Sequence, residues 1–305
     1  MKNNIKKVLL IQNPKSGQSE SNEFMKFKAL LLDNEITVSL RNLKEGVGIS
    51  ELIKDANEFD CIVTAGGDGT VCAVAHELKE DIPLFVYPAG TANLVAQNLG
   101  MYIASDKLID VLLNGDTIPI DIPNIKNSSK NAGFIVATGA GIDANMIKES
   151  ESMKSSLGTL AYVVGALKNV APQEAEFTLN IDGQEIITKG ICVLVANLGM
   201  INFKIPLADG IDPTDGLLNI IVFKGSSILS LAPNILDSIK YKFGIGQPEF
   251  AQNLEIYKGK KVSVNANPEM PLQYDGEVLE GNTPFEAEIT DKKVKFFYSD
   301  PEIST

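Results

Sequence analysis

Apolar and polar positions follow two different rhythms along this chain, and the rhythm changes near residue 120. In the first part, short apolar runs alternate with segments of helical period. Lys7 to Gln12 has the pattern of a buried strand, and Asn13-Pro14-Lys15-Ser16-Gly17 reads as the turn after it. The pattern predicts helix over 24–32, strand over 36–40, helix over 49–57 and a strand beginning at Cys61. Val71, Val74, Ala75 and Leu78 fall at helical spacing. A short strand is predicted over 83–87, and helices over 94–99 and 107–114. Strands alternating with helices in this way indicate a parallel α/β sheet. Ligands of such sheets gather at the carboxyl ends of the strands. The turns at 13–17, 65–70 and 88–93 are therefore expected to face one crevice.

The change of rhythm comes at Ile118-Pro119-Ile120-Asp121. From Gly133 onward the pattern is mostly that of strands, over 134–138, 176–181, 185–196, 217–223, 250–257, 261–266, 270–274 and 284–290. Asp182-Gly183 has the composition of a two-residue hairpin turn. Two helices are predicted within this part, over 158–170 and 228–241. The expected fold class is α/β plus β: an N-terminal α/β domain over residues 1–121 and a C-terminal antiparallel β-sandwich over 122–291.

Composition narrows the classes of function. The 305 residues are 44% hydrophobic and 22% charged, with a formal net charge of −12, a balance typical of soluble globular chains. A polyanion is a poor candidate for sequence-independent nucleic-acid binding, so no nucleic-acid partner is expected. The same charge argues against a broad electrostatic hold on anionic membranes. The apolar run near the N-terminus, Val8 to Ile11, is shorter than a signal-peptide core, and no stretch approaches the length of a membrane span. Cys61, Cys72 and Cys192 are odd in number and lie in apolar contexts, which reads as reduced core cysteines of a cytoplasmic protein.

Chemistry concentrates in a few polar segments. In Cys61 to Thr70, CIVTAGGDGT, a buried strand runs into a helix through three glycines. Glycine leaves no Cβ between main-chain N–H groups and an anion, and a helix N-terminus adds free donors. Asp68 among them would repel phosphates unless a cation intervened, which points to a Mg²⁺-nucleotide site. An ordinary tight strand-to-helix turn has the same composition. Asp209, Asp212 and Asp215 lie in a Pro/Gly loop that could supply hard oxygen ligands to Mg²⁺ or Ca²⁺, or be a polar turn with side-chain caps. Tyr274-Asp275-Gly276-Glu277 reads either as a hairpin turn or as two carboxylates dividing the work of base and metal ligand. Gly139-Ala140-Gly141-Ile142-Asp143-Ala144 fits GxGxxA, but no acidic residue closes a second strand about 20 residues later, so a close-packed turn is favoured. His76 is the only histidine and is read as a solvated helix residue. Essential proton transfer would then fall to a carboxylate.

The order NPKSG, GGDGT, PAGTAN, DPTDGLL and YDGE resembles the diacylglycerol kinase-type lipid kinases, above all the bacterial soluble members and more distantly sphingosine and ceramide kinases. Gly158 to Tyr162 is also similar to a family segment. The resemblance spans Asn13 to Glu277. It implies a phosphofructokinase-like α/β domain, a β-sandwich that takes the lipid, ATP in an interdomain cleft, and a tail over 292–305 that returns to the first domain. Asn13, Lys15, Gly66, Gly67, Thr70 and Thr91 match nucleotide-contacting positions. Asp68, Asp121 and Glu277 match the catalytic Mg²⁺ network, and Asp275 the general base, with Asp68 beside it in catalysis. Asp212, Asp215 and the Leu217 carbonyl match a second, structural cation site. The implied activity is ATP-dependent phosphorylation of a lipid hydroxyl with a diacylglycerol-like acceptor, by a cytoplasmic protein in peripheral contact with the membrane. A homodimer is left open, as is the identity of the lipid. Two departures stand out: Leu94, where many members carry Asp after GTAN, and Ala73, where many carry Glu after GGDGT. A non-catalytic lipid- or nucleotide-binding relative is the alternative. NAD kinase, which shares GGDGT, is disfavoured by the DPTDG and YDGE segments.

Overall fold

The computed structural model describes residues 2–18, 20–79, 81–101, 104–141, 174–201, 205–206, 210–224, 254–275 and 277–299. The helices expected over 158–170 and 228–241, the 158–162 segment and Asp209 lie outside them.

In chain order the elements begin with β1 (Lys7–Gln12), α1 (Asn22–Asp33), β2 (Thr37–Asn42), α2 (Ile49–Leu52), β3 (Cys61–Gly66), α3 (Asp68–Glu77) and β4 (Leu84–Pro88). Next come α4 (Leu94–Asn98), α5 (Ser105–Asn114), β5 (Asp116–Asp121), β6 (Asn124–Lys126), β7 (Asn131–Gly133) and β8 (Ala137–Ala140). The later strands are β9 (Ala175–Ile181), β10 (Gln184–Gly190), β11 (Cys192–Ala196), β12 (Met200–Ile201), β13 (Ile205–Pro206) and β14 (Leu218–Phe223). They continue as β15 (Leu254–Gly259), β16 (Lys261–Asn267), β17 (Pro271–Tyr274), β18 (Glu277–Asn282), β19 (Phe285–Glu288) and β20 (Lys293–Tyr298). The chain forms two compact units, Met1–Ile122 with Asp291–Thr305, and Pro123–Thr290.

The first unit is built on a six-stranded sheet in the order β2-β1-β3-β4-β20-β5. Strands β2, β1, β3, β4 and β20 pair in parallel, and β5 closes the sheet antiparallel to β20. Strand β3 is buried along its whole length, as a parallel strand covered on both faces must be. Helix α1 lays Phe24 and Phe27 on this sheet, where Phe27 stacks on Phe85 at 5.6 Å and Phe24 meets Tyr87 at 4.7 Å. The helix expected over 49–57 is the four-residue α2 followed by a single 3₁₀ turn, Ala56–Glu58. The break coincides with Arg41, whose guanidinium takes the Leu52 carbonyl at 2.7 Å and both oxygens of Asp55 at 2.5 and 2.7 Å.

The second unit holds two six-stranded antiparallel sheets, β10-β9-β16-β19-β6-β7 and β15-β14-β11-β8-β17-β18. Its core brings Phe177, Val264 and Phe285 of one sheet together with Val195, Ile220 and Leu272 of the other. Strands β9 and β16 alternate buried and open positions, whereas β11 is buried throughout. The run 185–196, expected as one strand, is two strands in different sheets. The chain changes sheet at Gly190-Ile191, where a Cβ on Gly190 would stand 2.6 Å from the Phe223 carbonyl oxygen. The Asp182-Gly183 turn joins β9 to β10 with both residues at positive φ, as a two-residue hairpin of this composition requires. The three cysteines are free and buried, and burial pushes the Cys192 thiol up to about 12. Among the described residues no helix is long and apolar enough to cross a membrane.

Candidate functional site

In the first unit the three turns expected to share a crevice do converge, at the carboxyl ends of β1, β3 and β4. The Asn13 main-chain N–H donates to the Ala65 carbonyl at 2.9 Å, and the Gln18 N–H to the Ala89 carbonyl at 3.1 Å. The Ala89 N–H donates to the Gly66 carbonyl at 3.2 Å, and the Asn13 side-chain amide to Thr70 Oγ1 at 3.4 Å. Two glycines make this approach feasible. A Cβ on Gly66 would lie 2.5 Å from Thr70 Oγ1, and one on Gly90 would lie 2.4 Å from the Gly67 Cα. Gly67 is the N-cap of α3, whose first turn holds Asp68 and Thr70. The first N–H groups of a helix have no intrahelical acceptor, so this turn presents donors where the three loops meet.

Asn93 sets the third turn. It adopts φ of +51, a left-handed conformation that Asn tolerates. Its side chain accepts from the Gly90 N–H and donates to the Gly90 carbonyl, each at 2.8 Å. The composition of PAGTAN contained the signal for this residue, an Asn three positions after a turn glycine.

Asp68 is 8% exposed, and its Oδ1 accepts the Val95 N–H at 2.8 Å. Burial pushes its carboxyl above the ordinary carboxylate range, and main-chain N–H groups at Val95, Leu94 and Asn93 pull it back. The carboxylate thus caps α4 from the neighbouring loop. Leu94 stands at the first position of that helix and is buried.

The positive charge available here is Lys15. It lies exposed on the first turn, its N–H held by Asn13 Oδ1 at 3.0 Å, and its ammonium has no acidic partner among the described residues. The chain's single arginine, Arg41, is already engaged by Asp55. Thr91, on the third turn, is also exposed. The structure therefore gathers Asn13, Lys15, Gly66, Gly67, Asp68, Thr70 and Thr91 at one end of the sheet.

Asp121, expected beside Asp68 in a Mg²⁺ network, does not join them. It pairs in register with Lys293 on β20, and Phe296 of that strand pairs with Leu84 at the start of β4. From Lys293 to Phe296 is three residues and from Leu84 to Pro88 four, so about seven residues of strand, roughly 20 Å, separate Asp121 from the loop end of β4. Strand direction is the reason: β5 runs antiparallel to β20, so its last residue lies at the amino end of the parallel strands. There Asp121 is 1% exposed and its Oδ1 pairs with Lys293 Nζ at 2.9 Å.

In the second unit, Asp275 follows β17 with a left-handed backbone, φ of +46, and Tyr274 pairs with Glu277 of β18. Its Oδ2 accepts the Ile135 N–H at 2.8 Å, and its Oδ1 accepts those of Val136 and Ala137 at 2.7 and 3.1 Å. This carboxylate replaces the sheet ladder over 135–136, which explains why the strand expected over 134–138 begins only at Ala137. Glu277 opens β18.

The 210–217 loop contains the remaining pair. Asp212 Oδ1 accepts the N–H and the hydroxyl of Thr214 at 2.8 and 2.7 Å, and Asp215 Oδ1 accepts the Leu217 N–H at 2.9 Å. Lys258 of β15, a residue without any motif signal, reaches this loop. Among the described residues no group of three or more His, Cys, Asp and Glu side chains could hold a metal ion.

A family model described as "Diacylglycerol kinase catalytic domain" matches residues 7–125, and one described as "YegS C-terminal NAD kinase beta sandwich-like domain" matches residues 136–298. A protein from Staphylococcus carnosus (strain TM300) described as "Putative lipid kinase" is 26% identical over 278 residues, covering 86% of this chain and 87% of its own length. A crystal structure described as "a putative diacylglycerol kinase from Bacillus anthracis str. Sterne" has a TM-score of 0.78 at 22% identity, covering 99% of this chain and 98% of that one. An NAD kinase from Archaeoglobus fulgidus in complex with ATP has a TM-score of 0.54 at 14% identity, over 98% of this chain and 96% of that one. At these identities the two structural likenesses speak for the fold alone.

Proposed function

Because the chain belongs to the diacylglycerol kinase-type lipid kinase family, we propose that it transfers the γ-phosphoryl group of ATP to the hydroxyl of a diacylglycerol-like lipid. The observation that carries this reading is the Lys15 ammonium, without an acidic partner among the described residues, beside a glycine-built loop end that presents helix N-terminal donors. Phosphoryl transfer needs positioning and charge neutralisation more than covalent assistance. Lys15 and the first turn of α3 supply positive potential for the triphosphate. Gly66, Gly67 and Gly90 keep side chains out of its path. Asp68 holds α4 and the 88–93 turn in register with the glycine loop.

Mg²⁺ is the usual companion of ATP in such transfers and neutralises phosphate charge when bound. The described carboxylates do not form a cradle for it: Asp68 is turned into main-chain donors, and Asp121 lies at the far end of the sheet. Mg²⁺ is therefore proposed to arrive with the nucleotide rather than on a preformed protein site.

Asp275 is proposed to orient the acceptor hydroxyl and take its proton. Its three main-chain hydrogen bonds fix the carboxylate in place. The acceptor lies in a bilayer, so the protein is proposed to work as a peripheral protein at the membrane surface. With a net charge of −12, that contact should persist in uncharged vesicles.

The test is transfer from γ-labelled ATP, with Mg²⁺, to a panel of diacylglycerol, phosphatidylglycerol, sphingosine and polyprenol in mixed micelles, with NAD as a parallel acceptor. Label in a lipid product supports the proposal. Label in NAD alone identifies a nicotinamide nucleotide kinase. ATP binding without transfer to any acceptor identifies a non-catalytic relative.

A further inference from the structure

The resemblance implies a metal ion at Asp212, Asp215 and the Leu217 carbonyl, where the residues alone left a cation loop and a capped polar turn both open, but the donor set does not fit a metal. Each carboxylate has an oxygen engaged within its own turn: Asp212 Oδ1 by the N–H and hydroxyl of Thr214, and Asp215 Oδ1 by the N–H of Leu217. The other oxygen of Asp215 faces a cation that the chain itself supplies. Lys258 Nζ lies 3.5 Å from Asp215 Oδ2 and donates to the Gly210 carbonyl at 2.8 Å. A carboxylate and a main-chain carbonyl converging on one positive centre is the pattern of a hard-cation site, and here the centre is an ammonium.

We propose that the Lys258 ammonium is the resident cation of the 210–217 loop and that this loop holds no metal ion. The placement of Lys258 is set by the sheet. Strand β15 pairs antiparallel with β14, Gly259 opposite Leu218 and Lys258 opposite Asn219, so the lysine emerges beside the point where the loop enters its strand. Gly210 and Gly216, at φ of +69 and +74, bend the two ends of the loop. Between them the loop bears carboxylates at 212 and 215 and no basic residue. Lys258 is half-exposed and Asp215 a quarter exposed, so the pair is partly screened by solvent and by salt. Divalent-ion dependence of this protein then belongs to the nucleotide, and the second unit folds without metal.

The test uses the full-length protein without nucleotide, stripped with chelator and dialysed, and measures bound Mn²⁺ by electron paramagnetic resonance together with thermal melting in EDTA, Mg²⁺ or Ca²⁺. Wild type should bind no stoichiometric Mn²⁺ that Asp215→Ala abolishes, and its Tm should move by less than about 1 °C between EDTA and millimolar Mg²⁺ or Ca²⁺. Lys258→Met keeps the stem and removes the charge. It should lower Tm by about 2–4 °C in EDTA, and it should gain a Mn²⁺ site and a Tm that millimolar Mg²⁺ or Ca²⁺ restores. Lys258→Arg should remain metal-independent. About one Mn²⁺ per wild-type chain, lost in Asp215→Ala, overturns the proposal, whether or not Lys258→Met folds. A folded Lys258→Met with wild-type melting and no response to divalent ions overturns it as well. Neither outcome depends on turnover, so failure here is distinct from failure of the kinase reading.

Discussion

Asp68 Oδ1 accepts the main-chain N–H of Val95 at 2.8 Å, so the carboxylate of the glycine turn after β3 caps the helix that follows β4. This bond, with the close approach of Gly67 and Gly90, locks two of the three loops to each other. Asp68 is thus tied to the architecture of the site before any ligand arrives.

The burial of Asp68 makes its contribution to stability depend on pH. Its folded-state pKa is raised, mainly by burial. The fold therefore favours the protonated form relative to the unfolded chain. The cost of ionised Asp68 is absent at pH below the unfolded value of about 3.9, appears as pH rises past it, and is complete above the raised folded value. Asp68→Asn has no such cost, and its amide oxygen can still accept from Val95. The Tm of the variant minus that of wild type should become more positive from about pH 4 to pH 7. A difference that is flat or shrinks over this range would show that the main-chain donors outweigh burial.

Gly90→Ala should disturb both loops at once, since the new methyl group would stand 2.4 Å from the Gly67 Cα. Backbone on the opposite side cannot yield as a flexible side chain does. The expected loss is about 1–3 kcal/mol, with a larger loss of ATP affinity than of stability. Chemical denaturation and calorimetric ATP titration measure the two. Unchanged values for both would mean that the loops are not rigidly apposed.

Lys15→Ala and Asp121→Asn should separate the two ends of the first unit. Lys15 is exposed and has no acidic partner among the described residues, so its removal should leave melting within about 1 °C and weaken ATP binding about tenfold. Asp121 is buried against Lys293 at the other end of the sheet. Its neutralisation should lower stability and leave the affinity for Mg²⁺·ATP within about threefold of wild type. Loss of Mg²⁺·ATP affinity in a folded Asp121→Asn protein would restore this residue to the metal network.

Asp275→Asn should cost stability as well as turnover. Both oxygens of Asp275 accept main-chain N–H groups, so an amide places one NH₂ against a donor. A loss of about 1–3 kcal/mol is expected, seen as a lower denaturation midpoint in the absence of ligand. A variant as stable as wild type and inactive would show a purely chemical role. One that is less stable but retains turnover would show a purely structural one.

The sequence determined whatever depends on local pattern. Apolar runs and helical spacing gave the alternation that builds the parallel sheet, and period-two patterns gave the sandwich, because side-chain periodicity reports directly which face is buried. Glycines at 66, 67 and 90 marked turns of the first unit, and Asp182-Gly183 marked a hairpin, since few residues tolerate its left-handed conformations. Tertiary structure alone decided the partners of the charged groups. Nothing near Asp121 says that its strand runs antiparallel to β20 and so carries it away from Asp68. Nothing near Asp215 says that the register of β14 on β15 delivers Lys258 to it. Nothing within Phe134 to Thr138 says that the carboxylate of Asp275 will take the N–H groups of a strand. The physical reason is the same in each case. A carboxylate is equally suited to a metal ion, an ammonium or a main-chain donor, and which one it meets is set by strand direction and register between segments distant in the chain.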